Sequence, residues 1–411
     1  MTKENKSVKN FPNLRFPGFE GEWEAKRLGE VATFAKGKGI SKNEIVDDGE
    51  TECIRYGELY TFYREVISEI KSKTNTAIST LVLSEANDVI IPASGETQID
   101  IATASCVIKS GVALGGDLNI IKTKNNGVFL SYYLNSKKKL EIAKLSQGIS
   151  VVHLYSSQLA LLNLKLPQLE EQEKLSGFLS LLNSRIQTQK KIIEKLESLM
   201  QGWRERIFSQ KVRFKNEGNN FSSWEIKKLK DISIRITTKN IESNKNVLTI
   251  SAQYGLISQL DFFSKSVSAK NIDNYYLLEK NDFAYNKSYS NGYPMGAIKQ
   301  LINYKKGVVS TLYICFRFHD YINSEYMKHY FDSGYHNVEI EKIAQEGARN
   351  HGLLNISITD FFDIKISLPS REEQTKIANF LSSIQEKLET EKQILEKLEL
   401  QKKFLLANLF V

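Results

Sequence analysis

Two stretches of the chain place mainly apolar residues in alternating steps of four and three. The first seam comprises Leu175, Leu179, Leu182, Ile186, Gln189, Ile193, Leu196, Met200, Trp203 and Ile207. The second seam comprises Ile377, Leu381, Ile384, Leu388, Glu391, Leu395, Leu398, Lys402, Leu405 and Leu409, each 202 residues further on. Ten such positions are enough for coiled-coil pairing. Because Pro167 and Pro369 are each followed by acidic residues, we predict long helices within 167–211 and 369–411.

The two seams match well enough to satisfy each other within one chain. An antiparallel arrangement is the natural solution, and it would bring Gln189 close to Glu391 and Leu409 back towards Leu175. A coiled coil between two chains is the alternative.

The segments before each helix have a different pattern. Short β-type runs at 88–91, 118–121 and 312–316 are separated by turns rich in glycine and asparagine. We therefore predict a short N-terminal segment over 1–19 and α+β domains over 20–166 and 212–368.

The whole chain is a tandem repeat. Its leading segments share an apolar-Arg-Phe motif, and its helices share a Leu-Pro-x-x-x-Glu-Gln-x-Lys start at 166–174 and 368–376. A period of about 200 residues is too long for a solenoid repeat. The predicted fold class is therefore α+β: two globular domains in tandem, each followed by a long helix, with the helices forming an antiparallel coiled coil about a pseudo-two-fold axis.

Composition limits the class of protein. With 411 residues, 41% hydrophobic and 25% charged, the chain is expected to fold into several domains. It contains no apolar run of the ~20 residues that a membrane helix needs, and its first ten residues are polar, so we expect no membrane association and a cytoplasmic location. Three cysteines without metal-ligand spacing predict neither disulfides nor a zinc site.

Net charge favours nucleic acid only weakly. The chain carries +8, but residues 20–166 hold 17 basic against 18 acidic side chains, and no segment is a basic tail. Any phosphate contacts must come from local clusters.

The sequence lacks recognisable catalytic motifs. Its six prolines are never adjacent, which rules out the Asn/Asp-Pro-Pro-aromatic motif of amino-methyltransferases, and there is no phosphate-binding loop, H-E-x-x-H or G-x-S-x-G. We expect no catalytic residues, no cofactor and no metal.

Three pairs of segments have side chains suited to DNA, near residues 55–60, 92–97 and 147–153 in the first half and 253–255, 286–291 and 346–351 in the second. The candidate DNA-binding residues are Lys36, Arg55, Tyr56, Tyr60, Ser94, Gly95, Glu96, Thr97, Gln147, Ser150, His153, Lys239, Tyr254, Asn286, Lys287, Tyr289, Asn291, Arg349, Asn350 and His351. Ordinary polar turns and core tyrosines are the alternatives. Arg349 is the best guanine reader of the set, although a phosphate contact or a surface ion pair would suit it equally.

These helix motifs, together with the stretch 16–28, resemble the DNA-specificity subunit of type I restriction-modification systems. The resemblance implies that each domain recognises one half of a split site in double-stranded DNA. It also implies that the helices dock two methyltransferase subunits, which carry S-adenosylmethionine and methylate adenine, and that motor-nuclease subunits complete the complex. A coiled-coil scaffold without nucleic acid, an enzyme with a degenerate site and a specificity subunit of another bipartite-site system remain alternatives.

Overall fold

The fold was analysed in a computed structural model that describes residues 10–148, 151–215, 222–251, 254–262, 272–290, 292–344 and 354–411. The chain divides into two compact units. Unit 1 comprises Met1–Lys190 and Gln393–Val411, and unit 2 comprises Lys191–Lys392. Each long helix therefore contributes one part to each unit, and the units are described separately.

The elements up to the first long helix alternate short strands with short helices. The strands are β1 (Glu24–Arg27), β2 (Ala32–Lys36), β3 (Thr51–Ile54), β4 (Val66–Ile67), β5 (Ser72–Thr74), β6 (Asp88–Pro92), β7 (Ser94–Gly95), β8 (Ser105–Val107), β9 (Ala113–Leu114), β10 (Leu118–Thr123), β11 (Val152–His153) and β12 (Asn163–Leu166). The helices are α1 (Leu28–Val31), α2 (Glu58–Thr61), α3 (Gln98–Ile101), α4 (Gly127–Tyr133), α5 (Lys139–Leu145), α6 (Ser156–Ala160) and the long α7 (Leu169–Phe208).

The second half follows the same plan. The strands are β13 (Glu225–Lys228), β14 (Ser233–Arg235), β15 (Leu248–Ser251), β16 (Gly255–Ser258), β17 (Tyr276–Glu279), β18 (Phe283–Asn286), β19 (Ala297–Gln300), β20 (Lys306–Val309), β21 (Ile314–Phe318) and β22 (Lys365–Leu368). The helices are α8 (Leu229–Ile232), α9 (Gln259–Phe262), α10 (Ser324–Asp332), α11 (Asn337–Ile343), α12 (Ile358–Phe362) and the long α13 (Arg371–Asn408).

The long helices begin where the sequence predicts, two residues after each proline, with two glutamates in each first turn. Helix α7 has 40 residues and α13 has 38. At 1.5 Å per residue each is about 60 Å long.

Both units show the two helices packed against each other in opposite directions. In unit 1, Leu182 and Ile186 of α7 pack with Leu398 of α13. In unit 2, residues near the end of α7 share a core with Ile377 and Leu381, near the start of α13. The pairing within one chain is therefore antiparallel, as predicted. Leu409 also lies in the same core as Leu175, which confirms the expected return of the C-terminus.

The central sheet of unit 1 runs in the order β2-β10-β6-β8-β4. Successive residues of its strands face two different cores, because side chains alternate across a strand. Ile121 of β10 lies in a core shared with the long helices, whereas Ile120 lies in a second core on the opposite face. Burial on both faces explains why these strands appear as continuous apolar runs.

Unit 2 repeats this arrangement around a sheet in the order β14-β21-β18-β19. Phe316 of β21 faces the core that contains the long helices, and the adjacent Cys315 faces the other core. The predicted α+β class is confirmed in both units.

Matched details show how closely the repeat is built. Asn87 and Asn281 both have positive φ values, 86° and 77°. The aspartate after each is buried and accepts a hydrogen bond from a backbone N–H three residues earlier, at 2.8 Å for Asp88 and 2.7 Å for Asp282. The repeated Asn-Asp pair thus forms the same turn before β6 and β18.

The Glu-Gln pair of each helix start fixes the α+β domain to the helix. In unit 1, Glu171 accepts hydrogen bonds from Nε and Nη2 of Arg15, at 2.8 and 2.7 Å. The side-chain oxygen of Gln172 accepts from the backbone N–H of Asn126, the N-cap of α4, and its Nε2 donates to the carbonyl of Pro167.

Unit 2 repeats the anchor with Glu373 and Gln374. Arg213 donates to Glu373 at 2.7 and 2.8 Å, and Gln374 accepts from Asn323, the N-cap of α10. Glu373 also accepts from Trp224 Nε1 at 3.2 Å, whereas Nε1 of Trp23 in unit 1 has no partner among the described residues.

No helix in the described ranges is both long enough and apolar enough to cross a membrane. All three cysteines are buried and none forms a disulfide. Burial raises the pKa of the Cys53 thiol to about 11.

Candidate nucleic-acid interface

An open cleft in unit 1 brings together predicted residues from separate segments. Its volume is about 870 Å³, and Arg55, Tyr56, Tyr60 and Glu96 all line it. The residues 55–60 lie around the start of α2, and Glu96 follows β7. The sequence identifies these segments separately as candidates for DNA binding, but it does not show that they line one cleft.

Glycine backbones bring the chain close together at one side of this cleft. The Gly37 N–H donates to the carbonyl of Leu118 at 3.0 Å, and a Cβ on Gly37 would lie 1.9 Å from the carbonyl oxygen of Gly115. Only glycine fits such an approach. Lys38 is exposed and is next but one before Ile40 and directly before Gly39, both of which line the cleft, whereas the exposed Lys36 shares the strand face of Phe34, which packs in the other core.

A buried carboxylate holds Arg55 in the wall. Glu58 is 2% exposed, and its Oε1 accepts hydrogen bonds from Nε and Nη2 of Arg55 at 3.2 and 3.1 Å. Oε2 accepts from the Arg55 backbone N–H at 3.2 Å, and Ser72 donates to Oε1 at 2.6 Å. This set of bonds fixes the orientation of the guanidinium.

Two tyrosines contribute aromatic surface. Tyr56 packs partly against the core that contains Ile54 and Leu59, so it serves both the core and the cleft. Burial raises the pKa of Tyr60, with smaller contributions from the nearby Tyr56 and Glu96. Both rings and Glu96 line the same cleft, which therefore has a polar and aromatic surface.

Several other candidates in unit 1 have structural roles. Ser94 and Gly95 form the buried strand β7, paired with β11, instead of a polar turn, and their contact with DNA stays a prediction. Thr97 caps α3, where its Oγ1 accepts from the Asp100 N–H at 3.1 Å.

Two further candidates in unit 1 lie together. The backbones of Gln147 and His153 exchange hydrogen bonds of 2.9 and 2.7 Å, and both residues are exposed. Ser150 lies outside the described residues.

The candidates in unit 2 are more scattered. Tyr254 and Tyr289 are 66% and 63% exposed. Lys239 is engaged within its own domain, where its Nζ donates to the Asn274 carbonyl at 2.8 Å and lies 4.7 Å from the centre of the Tyr276 ring.

The stretch after β18 is tied to the same domain. Asn286 accepts from the backbone N–H of Ser288 at 3.0 Å, and Lys287 contacts the Ile356 carbonyl at 3.5 Å. Asn291, Arg349, Asn350 and His351 lie outside the described residues, so the guanine contact expected of Arg349 stays a prediction.

The repeat does not extend to every matched residue. Gly57 is the N-cap of α2 with φ −65°, but Gly255 begins β16 with φ +80°. The matched Tyr-Gly dipeptides therefore occupy different local structures, although each follows a corresponding strand.

The sequence shows no sign of a half-buried charged cluster in unit 2. Asp332 of α10 accepts from Lys299 at 2.7 Å and pairs with Arg204 of α7 at 3.6 Å. Burial would raise the pKa of Asp332, but Lys299 and Arg204 outweigh it and hold this pKa below its usual range. The cluster joins the long helix to the domain at one side of a groove of about 640 Å³ that Tyr254 also lines.

Two histidines lie in the same region. Burial lowers the pKa of His329 to about 3, helped by Lys328 and Arg204, and burial also lowers that of His336 to about 3. His329 Nε2 lies 3.0 Å from Ser382 Oγ on α13. A neutral ring suits this environment.

Comparison with known proteins settles the family. Residues 20–198 and 222–400 each match the type I restriction modification DNA specificity domain. The chain belongs to this family.

A curated relative is the type I restriction enzyme MjaVIII specificity subunit of Methanocaldococcus jannaschii, which is 26% identical over 238 residues. The match covers 56% of this chain and 52% of that protein, so the chain spans about half the length of the relative. The crystal structure of a type I restriction-modification S subunit from M. genitalium is 16% identical, covers 98% of this chain and 99% of that one, and has a TM-score of 0.63. At this sequence identity, the similarity to the M. genitalium structure is a similarity of fold.

The family confirms the expectation of a specificity subunit. It also accounts for the tandem layout, because the specificity domain occurs twice in this chain. No group of three or more His, Cys, Asp or Glu side chains in the described ranges is arranged to hold a metal ion.

Proposed function

We propose that each α+β domain of this specificity subunit reads one half of a bipartite site in double-stranded DNA. The observation that carries the proposal is the duplicated specificity domain, with the same Arg-Glu and Gln anchors at the start of each long helix. We assign 20–166 and 212–368 as the recognition domains, 167–211 and 369–411 as the helices that connect and support them, and 1–19 as an N-terminal segment. Two readers in one chain suit a site with two separate half-sequences.

We further propose that the long helices dock two methyltransferase subunits. The helices carry large apolar side chains outside their pairing seam, and Leu181, Leu400 and Phe404 are 74%, 58% and 59% exposed. Exposed apolar surface of this kind is typical of protein interaction sites. The number of two partners comes from the family resemblance, because the positions that match Leu181, Leu400 and Phe404 in the repeat are Ser383, Ser198 and Gly202.

The catalytic steps then belong to the partners. The methyltransferase subunits would carry S-adenosylmethionine and methylate one adenine in each half-site, on opposite strands, while motor-nuclease subunits would complete the restriction complex. Moving an adenine out of the duplex costs about a few kcal/mol. Protein contacts with the flanking DNA must offset this cost. This chain supplies the contacts that choose the sequence.

The direct test is DNA binding with and without a co-expressed methyltransferase partner. We expect the complex to select one bipartite sequence from a random library in a salt-dependent manner. A chain that assembles with no methyltransferase and binds no DNA would favour the scaffold alternative. Cofactor titration of the isolated chain tests the enzyme alternative, for which saturable binding of S-adenosylmethionine is the supporting result.

A further inference from the structure

Arg55 has one hydrogen-bonding edge occupied and one edge open. The guanidinium presents a lateral edge, made by Nε and Nη2, and a terminal edge, made by Nη1 and Nη2. Glu58 binds the lateral edge through its Oε1. Nη1 has no partner among the described residues, and Arg55 lines the cleft. The terminal edge is the one that can donate two parallel hydrogen bonds to O6 and N7 of guanine.

The charge around the cleft favours a base over a phosphate. Its lining contains the cationic Lys42 and Arg55 against four carboxylates, which are Glu44, Glu58, Glu96 and Asp117. A phosphate group inside the cleft would meet this excess of like charge. The edge of a base pair carries no net charge, so a base can approach Arg55 without that repulsion, while the exposed Lys38, next to the cleft-lining Gly39, can contact the DNA backbone.

The hydrogen bonds to Glu58 restrict the rotamers of Arg55, and a restricted side chain loses less conformational entropy when it binds a base. An unrestrained arginine samples many rotamers and must lose that entropy on binding. Here both the side chain and the backbone N–H of Arg55 bind the same buried carboxylate, which Ser72 in turn supports. Glu58 therefore acts through Arg55 as a positioning residue.

We propose that Arg55 reads a guanine in the half-site recognised by the first domain, and that Glu58 sets the orientation needed for this contact. The inference rests on the proposed function and adds a residue, a base and a supporting group to it.

The test uses the full chain assembled with its methyltransferase subunits and a DNA library randomised over both half-sites. Arg55→Lys keeps the charge and can still pair with Glu58, but it lacks the two-donor terminal edge. Glu58→Gln keeps the volume and removes the charge that holds Arg55. Arg64→Ala is the matched control, because Arg64 is an exposed arginine of the same domain that does not line the cleft.

We expect wild-type complex to require guanine at one position of the first half-site. Arg55→Lys should reduce that preference by about 5-fold to 150-fold at this position alone, since a good bidentate pair supplies discrimination of that order. Glu58→Gln should relax the same position to a smaller extent, and Arg64→Ala should leave the selected sequence unchanged. If Glu58→Gln fails to fold, as a melting curve would show, Arg55→Lys decides alone.

The inference would be overturned by a first half-site without guanine, by an Arg55→Lys complex that selects the wild-type sequence, or by a change confined to the second half-site. Equal weakening on all sequences would identify a phosphate contact and would also overturn it. Each of these requires a wild-type complex that selects a bipartite site. If the wild-type complex selects none, the proposed function itself fails, so the two failures are distinguishable.

Discussion

Arg15 and Glu171 are separated by 156 positions in the sequence, yet they meet through two hydrogen bonds of 2.8 and 2.7 Å. Arg213 and Glu373 repeat this geometry in unit 2. Both carboxylates are almost completely buried, with side-chain exposures of 3% and 1%. The paired anchors give each domain a fixed attachment to the start of a long helix.

Removing the charge of Glu373 should destabilise unit 2 strongly. Its carboxylate accepts from Arg213, from the Phe214 backbone and from Trp224 Nε1, so Glu373→Gln would place an amide N–H₂ against donors. Breaking a buried pair in this way costs about 3–5 kcal/mol. Urea unfolding followed by circular dichroism measures the loss.

Two matched variants distinguish the loss of a buried Arg-Glu pair from a general effect of replacing glutamate by glutamine in these helices. Glu171→Gln should cost less than Glu373→Gln, because Glu171 binds Arg15 without a tryptophan donor. Glu170→Gln, at an exposed position next to it, should change the unfolding free energy by less than about 0.5 kcal/mol. Equal effects at all three positions would contradict the anchor.

The glutamine anchors require an amide rather than a carboxylate. Gln374 accepts from the Asn323 N–H at 2.9 Å and donates to the Pro369 carbonyl at 3.0 Å. Gln374→Glu would keep the acceptor but turn an anionic oxygen towards the carbonyl, at a cost of about 1–3 kcal/mol or more. Thermal unfolding should show the loss, whereas Gln168→Glu at an exposed position should not. An unchanged midpoint for Gln374→Glu would count against the anchor.

Acidification should destabilise unit 2 through its buried histidines. The pKa values of His329 and His336 are lowered to about 3 in the folded chain. Because an unfolded histidine titrates near ~6.5, the unfolded state binds more protons between these two values, so stability is full above about pH 6.5 and falls as the pH is lowered. At pH 5 the loss should be roughly 2 kcal/mol per histidine.

Variants identify the groups responsible. His329→Gln and His336→Phe cannot titrate, so each should be less sensitive to pH between 7.5 and 5 in denaturant unfolding, even if it is less stable at pH 7.5. His153→Gln, at an exposed position in unit 1, should keep the wild-type pH dependence. A wild-type slope in both core variants would refute this explanation.

Much of the fold could be predicted from the sequence, because the spacing of apolar residues indicates the long helices and the tandem repeat indicates two similar domains. The seam positions from Leu175 to Ile207 step at helical spacing, and burial at those positions follows from it. The repeated Arg15 and Arg213 and the repeated Glu171 and Glu373 were visible as separate motifs. Their pairing was not, since sequence spacing of 156 residues gives no sign of contact.

The candidate site was harder to predict, for physical reasons. Ser94 and Gly95 look like a polar turn, but cross-strand pairing with β11 buries them. Glu58 looks like an ordinary surface carboxylate, and only its burial shows that it holds Arg55. The Arg-x-x-Glu spacing of these two residues was the available signal, because side chains three apart are neighbours at a helix start.

Lengthening both long helices by one heptad should lengthen the spacer of the DNA site. Seven residues preserve the seam and add about 10 Å, close to three base pairs at 3.4 Å each. The insertions belong after Gln189 and Glu391, which occupy matched seam positions. We expect both half-sequences to persist in a library selection while the preferred gap grows. A fixed gap would show that the helices do not set it.

Genome-wide mapping of methylated adenine, in cells that express this chain with its methyltransferase subunits, tests the central claim most directly. We predict one bipartite motif that depends on this chain, with one methylated adenine in each half and the two on opposite strands. Exchanging residues 20–166 for the corresponding domain of another specificity subunit should change one half-sequence and leave the other intact. A single continuous motif, a change in both halves after the exchange, or methylation that does not depend on this chain would contradict the account.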